Sequence, residues 1–153
     1  MPVARYLLVL AHAGIGAVWL GSMAYSLFVV QPRVPRVLSD PAAAEEMYRE
    51  LAAGNRWRVV ALIGTVAASG AGLVAVAAGR TAGWWVLVAA KSVLLLVAAG
   101  LFWWVSWRAW PRRIFALPAE LPALQRRFRL VALALTCCIG LAFALGVAAA
   151  TVA

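Results

Sequence analysis

Residues 83–107 read GWWVLVAAKSVLLLVAAGLFWWVSW and contain Lys91, the only lysine of the 153-residue chain. About 20 helical residues cross a hydrocarbon core about 30 Å thick, so this stretch is long enough to span a bilayer. An unpaired lysine near the middle of such a helix costs about 2.5–3.5 kcal/mol on insertion. We therefore expect Lys91 to have a partner, a polar cavity or a functional role.

Three other stretches are equally apolar, namely residues 6–30, 59–79 and 130–152. The chain is 66% hydrophobic and 12% charged, with a mean hydropathy of +0.94, which is too apolar for a soluble domain of this length. A lipid-facing backbone must satisfy its own hydrogen bonds, and the alternating pattern of a membrane barrel is absent. The sequence predicts an all-α, polytopic membrane four-helix bundle that forms one domain over residues 1–153.

Arginines concentrate in the two longer polar segments, residues 31–58 and 108–129. These segments hold all but Arg5 and Arg80 of the chain's arginines. Positively charged loops stay on the cytoplasmic side, so both segments are expected there and both termini are expected to be extracytoplasmic. The net charge of +9 forms no separate basic domain, so the expected partner is the lipid bilayer of a cytoplasmic membrane and not nucleic acid.

Residues 31–58 also predict a short amphipathic helix. Asp40 suits an N-cap, Pro41 a first turn and Gly54 a helix end. The predicted apolar face contains Ala44, Met47, Tyr48 and Leu51, and the predicted polar face contains Glu45, Glu46 and Glu50. We expect this helix to lie along the inner membrane surface.

The two halves of the chain are similar to one another. His12 lies twenty residues before Pro32, and Lys91 lies twenty residues before Pro111. The sequence RWRVVAL at residues 56–62 likewise corresponds to RFRLVAL at residues 127–133. We predict two direct helical-hairpin repeats related by a pseudo-twofold axis along the membrane normal. His12 and Lys91 then occupy equivalent positions.

His12 and Lys91 are also predicted to lie at similar depths. At 1.5 Å per residue they lie about 9 Å and about 12 Å below the outer ends of their spans. A four-helix arrangement could let them share a polar site for a metal, a porphyrin or a proton. Because a lysine repels cations, the pair suits an anionic ligand or a proton relay at least as well as bare copper. In the alternative interpretation, His12 bonds a backbone carbonyl and Lys91 extends toward the membrane surface.

A softer set of candidate metal ligands lies nearer the inner ends of two spans. Met23, Cys137 and Cys138 are each about 10 Å from those ends. Thioether and thiolate groups select Cu(I), although adjacent helical residues diverge by about 100°, so only one cysteine can face Met23. Ordinary core packing is the alternative interpretation.

Small residues crowd the second span, where Gly64, Ser69, Gly70 and Gly72 allow either close helix packing or the approach of a planar ligand. All five acidic residues lie in the polar segments. The spans therefore contain no carboxylate that could act as a general base, which argues against hydrolase chemistry.

The stretch HAGIGAVWLG at residues 12–21, continuing to FVVQP at residues 28–32, resembles the first helix of the CopD-like copper-resistance membrane proteins. Residues 129–140 resemble that family's last helix. The resemblance implies a bacterial inner-membrane protein of four helices, or a larger one that contains this unit, which moves copper or maintains its homeostasis. It also implies an extracytoplasmic copper-binding protein as a partner.

The histidine in the first span and the lysine in the third also resemble the membrane protoporphyrinogen oxidase family. That resemblance implies binding of haem b, with His12 as one axial ligand and with Lys91 and Trp19 beside it. A second axial ligand would come from elsewhere or from a homodimer. Three functions stay open at this point: copper handling, a haem- or porphyrin-binding redox role, and a structural or assembly subunit of a membrane complex.

Overall fold

The structure is a computed structural model that describes residues 2–77 and 80–151. Within these ranges the chain is helical and contains no strand, as predicted. By length and composition, four helical stretches can cross a membrane: Val3–Val37, Asn55–Ala75, Ala82–Ile114 and Leu121–Ala150. The predicted ends of the second and fourth spans, residues 79 and 152, lie outside the described residues.

Seven α-helices and two π-helical turns make up the described chain. They are α1 (Pro2–Tyr25), a first π-turn (Ser26–Val30), α2 (Gln31–Val37), α3 (Pro41–Ala52), α4 (Asn55–Ala75), α5 (Ala82–Trp104), a second π-turn (Val105–Ala109), α6 (Trp110–Ile114) and α7 (Leu121–Thr151). Many large apolar side chains face outward, with Leu96 71% exposed and Phe28 64% exposed. Such a surface would associate in water but suits acyl chains. The molecule is therefore a multi-pass membrane protein.

Two helices run beyond the ends predicted for their spans, at residues 30 and 107. In each, a π-turn precedes a proline in the first turn of the next helix, Pro32 in α2 and Pro111 in α6. A proline inside a helix lacks an N–H donor and its ring presses on the preceding turn. The wider π-turn accommodates the proline, so the helix continues without breaking.

The second π-turn leaves a carbonyl that another helix satisfies. Its pattern is i to i−5, since the Trp110 N–H donates to the Val105 carbonyl. The next donor in that pattern would be Pro111, which has no N–H. The Ser106 carbonyl instead accepts a hydrogen bond from the Arg56 guanidinium of α4. This bond ties the start of α4 to the second π-turn, which follows α5.

The short helix α3 forms where the sequence predicts it. The Asp40 side chain accepts a hydrogen bond from the Ala42 N–H at 3.0 Å, and Pro41 is the first helical residue. The helix ends at Ala52, and Gly54 then adopts a left-handed φ of 68°, which glycine adopts without steric cost.

The predicted polar face of α3 is wrong at one position. Glu45 is only 5% exposed, because its carboxylate accepts two hydrogen bonds from Arg113 of α6, at 2.6 and 2.8 Å. Burial alone would raise the pKa of the Glu45 carboxyl, but the hydrogen bonds and charge of Arg113 outweigh it. The pKa therefore lies below its ordinary value.

Aromatic rings surround the Arg113 guanidinium. Its central carbon lies 5.4 Å from the Tyr48 ring centroid, 5.6 Å from that of Trp110 and 5.0 Å from that of Phe128. Rings at this range attract a cation through their quadrupoles. We call Glu45, Tyr48, Trp110, Arg113 and Phe128 the Arg113 clamp. It joins α3, α6 and α7 at the arginine-rich end of the bundle.

Helix α1 packs against α4 and α7, and α5 packs against α7. All four long helices meet around a buried cluster of Trp19, Ala98, Leu135 and Ile139. Leu62 and Ile63 of α4 pack against it from one side. This core fixes α1 relative to its neighbours and therefore sets where His12 lies.

A candidate ligand site between the helices

His12 lies on α1, half-buried against α4. Its Nδ1 is 2.9 Å from Ser69 Oγ. The Ser69 hydroxyl in turn lies 2.7 Å from the Thr65 carbonyl and 3.1 Å from the Val66 carbonyl, to which it donates. A hydroxyl has a single proton, so when Ser69 donates to a helix carbonyl it accepts a hydrogen bond from the Nδ1–H of His12. In this arrangement, a neutral imidazole holds its proton on Nδ1 and has its lone pair on Nε2.

Small residues on α4 make room for this ring. A Cβ at Gly70 would lie 3.1 Å from the His12 Cε1 atom, closer than side chains normally pack. A Cβ at Gly72 would lie 3.5 Å from a methyl of Leu8, also on α1. The small-residue face predicted for the second span therefore brings α1 close to α4 and seats the imidazole against the α4 backbone.

Lys91 lies on α5 and reaches toward α7. A Cβ at Gly146 would lie 3.1 Å from the Lys91 Nζ atom and 3.5 Å from its Cε atom. The side chain is half-buried, and no described residue accepts a hydrogen bond from Nζ. The only lysine of the chain thus sits against a glycine, where the α7 backbone has no side chain to exclude it.

His12 and Lys91 do not form a bonded pair. The charge of Lys91 acts on the His12 imidazole, although among the described side chains no hydrogen bond joins them. Each contacts the second long helix of its own half: His12 lies over Gly70 of α4, and Lys91 lies over Gly146 of α7.

The other predicted site residues lie in or beside the core. Trp19 is 4% exposed and belongs to the buried cluster, against which Met23 and Cys138 both pack. Cys137 is exposed, so Cys138 is the cysteine that faces the bundle. Met23 lies eleven residues after His12 on α1, or about 16 Å along a helix. The imidazole and the soft donors therefore lie at two separate levels.

No group of three histidine, cysteine, aspartate or glutamate side chains is positioned to hold a metal within residues 2–77 and 80–151. Two partners of the candidate site escaped sequence reasoning. Ser69 stood out only as a small residue, and nothing in the pattern linked it to His12, 57 positions away. Gly146 carried no signal at all in a helix rich in small residues.

The chain matches no protein-family model, no curated protein and no solved structure with which it was compared. Its class follows from its fold: a multi-pass membrane protein with four helices long and apolar enough to span a bilayer. Within that class, the feature best suited to bind a ligand is the half-buried His12 imidazole, which is hydrogen-bonded to Ser69.

Proposed function

We propose that this chain is a copper-handling protein of the bacterial cytoplasmic membrane, in which His12 Nε2 is a metal ligand. The observation that carries the proposal is the hydrogen bond from His12 Nδ1 to Ser69, at 2.9 Å. Metal-binding histidines commonly donate their second ring N–H to an oxygen, which fixes the tautomer and the ring orientation. Ser69 would supply that oxygen while its own proton is donated to the Thr65 or Val66 carbonyl.

Copper is the cargo favoured by the resemblance of the first and last helices to CopD-like proteins. The side chains that face the bundle support this choice. Met23 and Cys138 pack on the same core cluster, and thioether and thiolate groups are the donors that Cu(I) prefers. His12 and this pair would offer copper two successive positions about 16 Å apart along α1, with an extracytoplasmic copper-binding protein as donor or acceptor.

The orientation is part of the proposal. The arginine-rich ends of α2, α6 and α7 would face the cytoplasm, because positive charge is retained there. His12 lies ten residues after the start of α1 at Pro2, and the continuous helical stretch runs on to Val37, so His12 would lie nearer the extracytoplasmic end of that stretch. The matching π-turns before Pro32 and Pro111 support the two-hairpin repeat. In that repeat Lys91 would lie at the same depth in the membrane as His12.

Haem binding is the second candidate, and Lys91 is the observation that favours it. An ammonium group near the imidazole repels a bare copper ion but attracts the carboxylates of a porphyrin. Haem brings four equatorial nitrogens, so one imidazole suffices as a protein ligand. The donor chemistry of the described residues fits: His12 Nε2 would bind the iron and Lys91 would pair with a propionate. A homodimer would supply a second axial ligand.

One set of purified variants separates these functions. The detergent-purified protein, His12→Ala, Met23→Leu and Ser92→Ala would be compared for bound copper by elemental analysis and for visible absorption. Ser92 is the matched control, because its hydroxyl bonds only the carbonyl four residues earlier, at 2.9 Å. We expect copper in the parent and in Ser92→Ala, and its loss in His12→Ala.

The alternatives give different results. A Soret band in the parent that is lost in His12→Ala would show that the bound group is haem and not copper. Copper lost in Met23→Leu but retained in His12→Ala would move the site to the core cluster. A folded parent that binds neither would refute both proposals and leave a structural or assembly subunit.

A further inference from the structure

A shallow groove lies at the arginine-rich end of α5, far from His12. It has a volume of about 310 Å³ and is lined by Trp103, Trp104, Arg108 and Arg112. A second, smaller groove shares Trp104 and Arg112 and adds Arg127 of α7. We call these five residues the arginine groove. It brings three cations and two indole rings together on one surface.

The three arginines of the groove have no acidic partners. The ion pairs between described residues join Arg49 to Glu46 and Arg113 to Glu45. Arg108, Arg112 and Arg127 take part in neither, and all three are exposed. The chain contains five acidic residues against fourteen basic ones, so its own carboxylates cannot neutralise this surface.

The residue types in the groove match the chemistry of a lipid headgroup. Guanidinium groups bind phosphate oxygens through paired N–H donors. Tryptophan rings prefer the boundary between headgroups and acyl chains, and Trp103 and Trp104 are 53% and 43% exposed there. Basic grooves between membrane helices are common binding sites for anionic phospholipids. Free phosphate would use the guanidinium groups but gain nothing from the indoles.

We propose that the arginine groove binds the phosphate headgroup of an anionic phospholipid, with Arg108, Arg112 and Arg127 around the phosphate and the two tryptophans against the glycerol and upper acyl chains. The Arg113 clamp lies beside the groove and holds α6 against α7. Lipid binding there would add a non-covalent bridge between Arg112 of α6 and Arg127 of α7.

Native mass spectrometry of the delipidated, detergent-purified protein tests this site. Phosphatidylglycerol and phosphatidylcholine with identical acyl chains would compete at equal concentration. The parent should bind phosphatidylglycerol in preference. Each arginine near a membrane surface contributes about a fivefold gain in affinity for anionic lipid. The triple variant R108Q/R112Q/R127Q should therefore lose nearly all of the preference, and R112Q alone about fivefold.

The matched control is R33Q/R36Q/R126Q, which removes the same charge from exposed arginines outside the groove. It should keep the preference. An equal loss in the control would refute a localised site and indicate general charge attraction. A parent without preference, or full displacement of the lipid by inorganic phosphate, would also overturn the proposal. If the triple variant loses its helical circular dichroism, R112Q is compared with R36Q in the same way.

Discussion

Glu45→Gln should strongly destabilise the bundle, although the sequence pattern places Glu45 on a polar helix face. The side chains of Glu45 and Arg113 are 6% and 9% exposed, and their closest N–O distance is 2.6 Å. Glutamine has nearly the same volume as glutamate, so the substitution removes the negative charge with little change in packing. Arg113 would remain buried among three rings with its charge unbalanced.

The size of the effect follows from the geometry. Breaking a buried ion pair by removing one partner costs about 3–5 kcal/mol. The glutamine amide oxygen still accepts one of the two hydrogen bonds, and the ring contacts of Arg113 are unchanged. We therefore expect a loss of about 3 kcal/mol in the free energy of unfolding.

Reversible unfolding in mixed micelles, followed by circular dichroism at increasing denaturing detergent, measures this loss. Glu46→Gln is the matched control on the next residue. Its side chain is 63% exposed, and its contact with Arg49 is 3.5 Å long, so the control should cost less than about 0.5 kcal/mol. Equal, small effects of the two substitutions would show that the clamp does not stabilise the fold.

Three further predictions concern the clamp and the imidazole. Because Arg113 holds the pKa of Glu45 below its ordinary value, the clamp stabilises the fold fully above that ordinary value. The stabilisation is lost as pH falls through the lower folded-state pKa, and melting temperatures of Glu45→Gln should lack this acid dependence. Ser69→Ala should weaken metal or haem binding about 10–100-fold, measured by competition with a chelator or by absorption, whereas Ser92→Ala should not. Gly70→Ala should displace the His12 imidazole and weaken metal or haem binding. The control is Gly64→Ala, because no atom lies within 4 Å of a Cβ at Gly64. Gly64→Ala should leave binding intact and slightly raise the melting temperature.

The spans could be predicted because the bilayer imposes a length and a polarity on each of them. The cap of α3 could be predicted for a different reason, because Asp40 and Pro41 act only on residues next to them in the chain. The helix ends inside the polar segments could not be predicted. Arginines at residues 33 and 112 suggested loops there, but the helices continue past Pro32 and Pro111 because a π-turn absorbs each proline.

The candidate site was only partly predictable. His12 and Lys91 stand out because charge is rare in apolar runs. Their contacts depend on how the helices rotate against each other, which composition does not specify. The burial of Glu45 is a clearer case, because its partner Arg113 lies 68 positions away and periodicity alone placed the carboxylate in water.

The π-turn at Ser26–Val30 rotates the residues that follow it about the helix axis, relative to the residues of α1. A π-turn holds about one residue more than the α-helix it interrupts, which turns everything after it by about 100°. Deleting a single residue there would straighten the helix and swing the Gln31 carbonyl away from the Tyr48 hydroxyl, which now donates to it at 2.9 Å. One continuous helical stretch can thus place His12 against α4 and, after the π-turn, turn a different face toward α3.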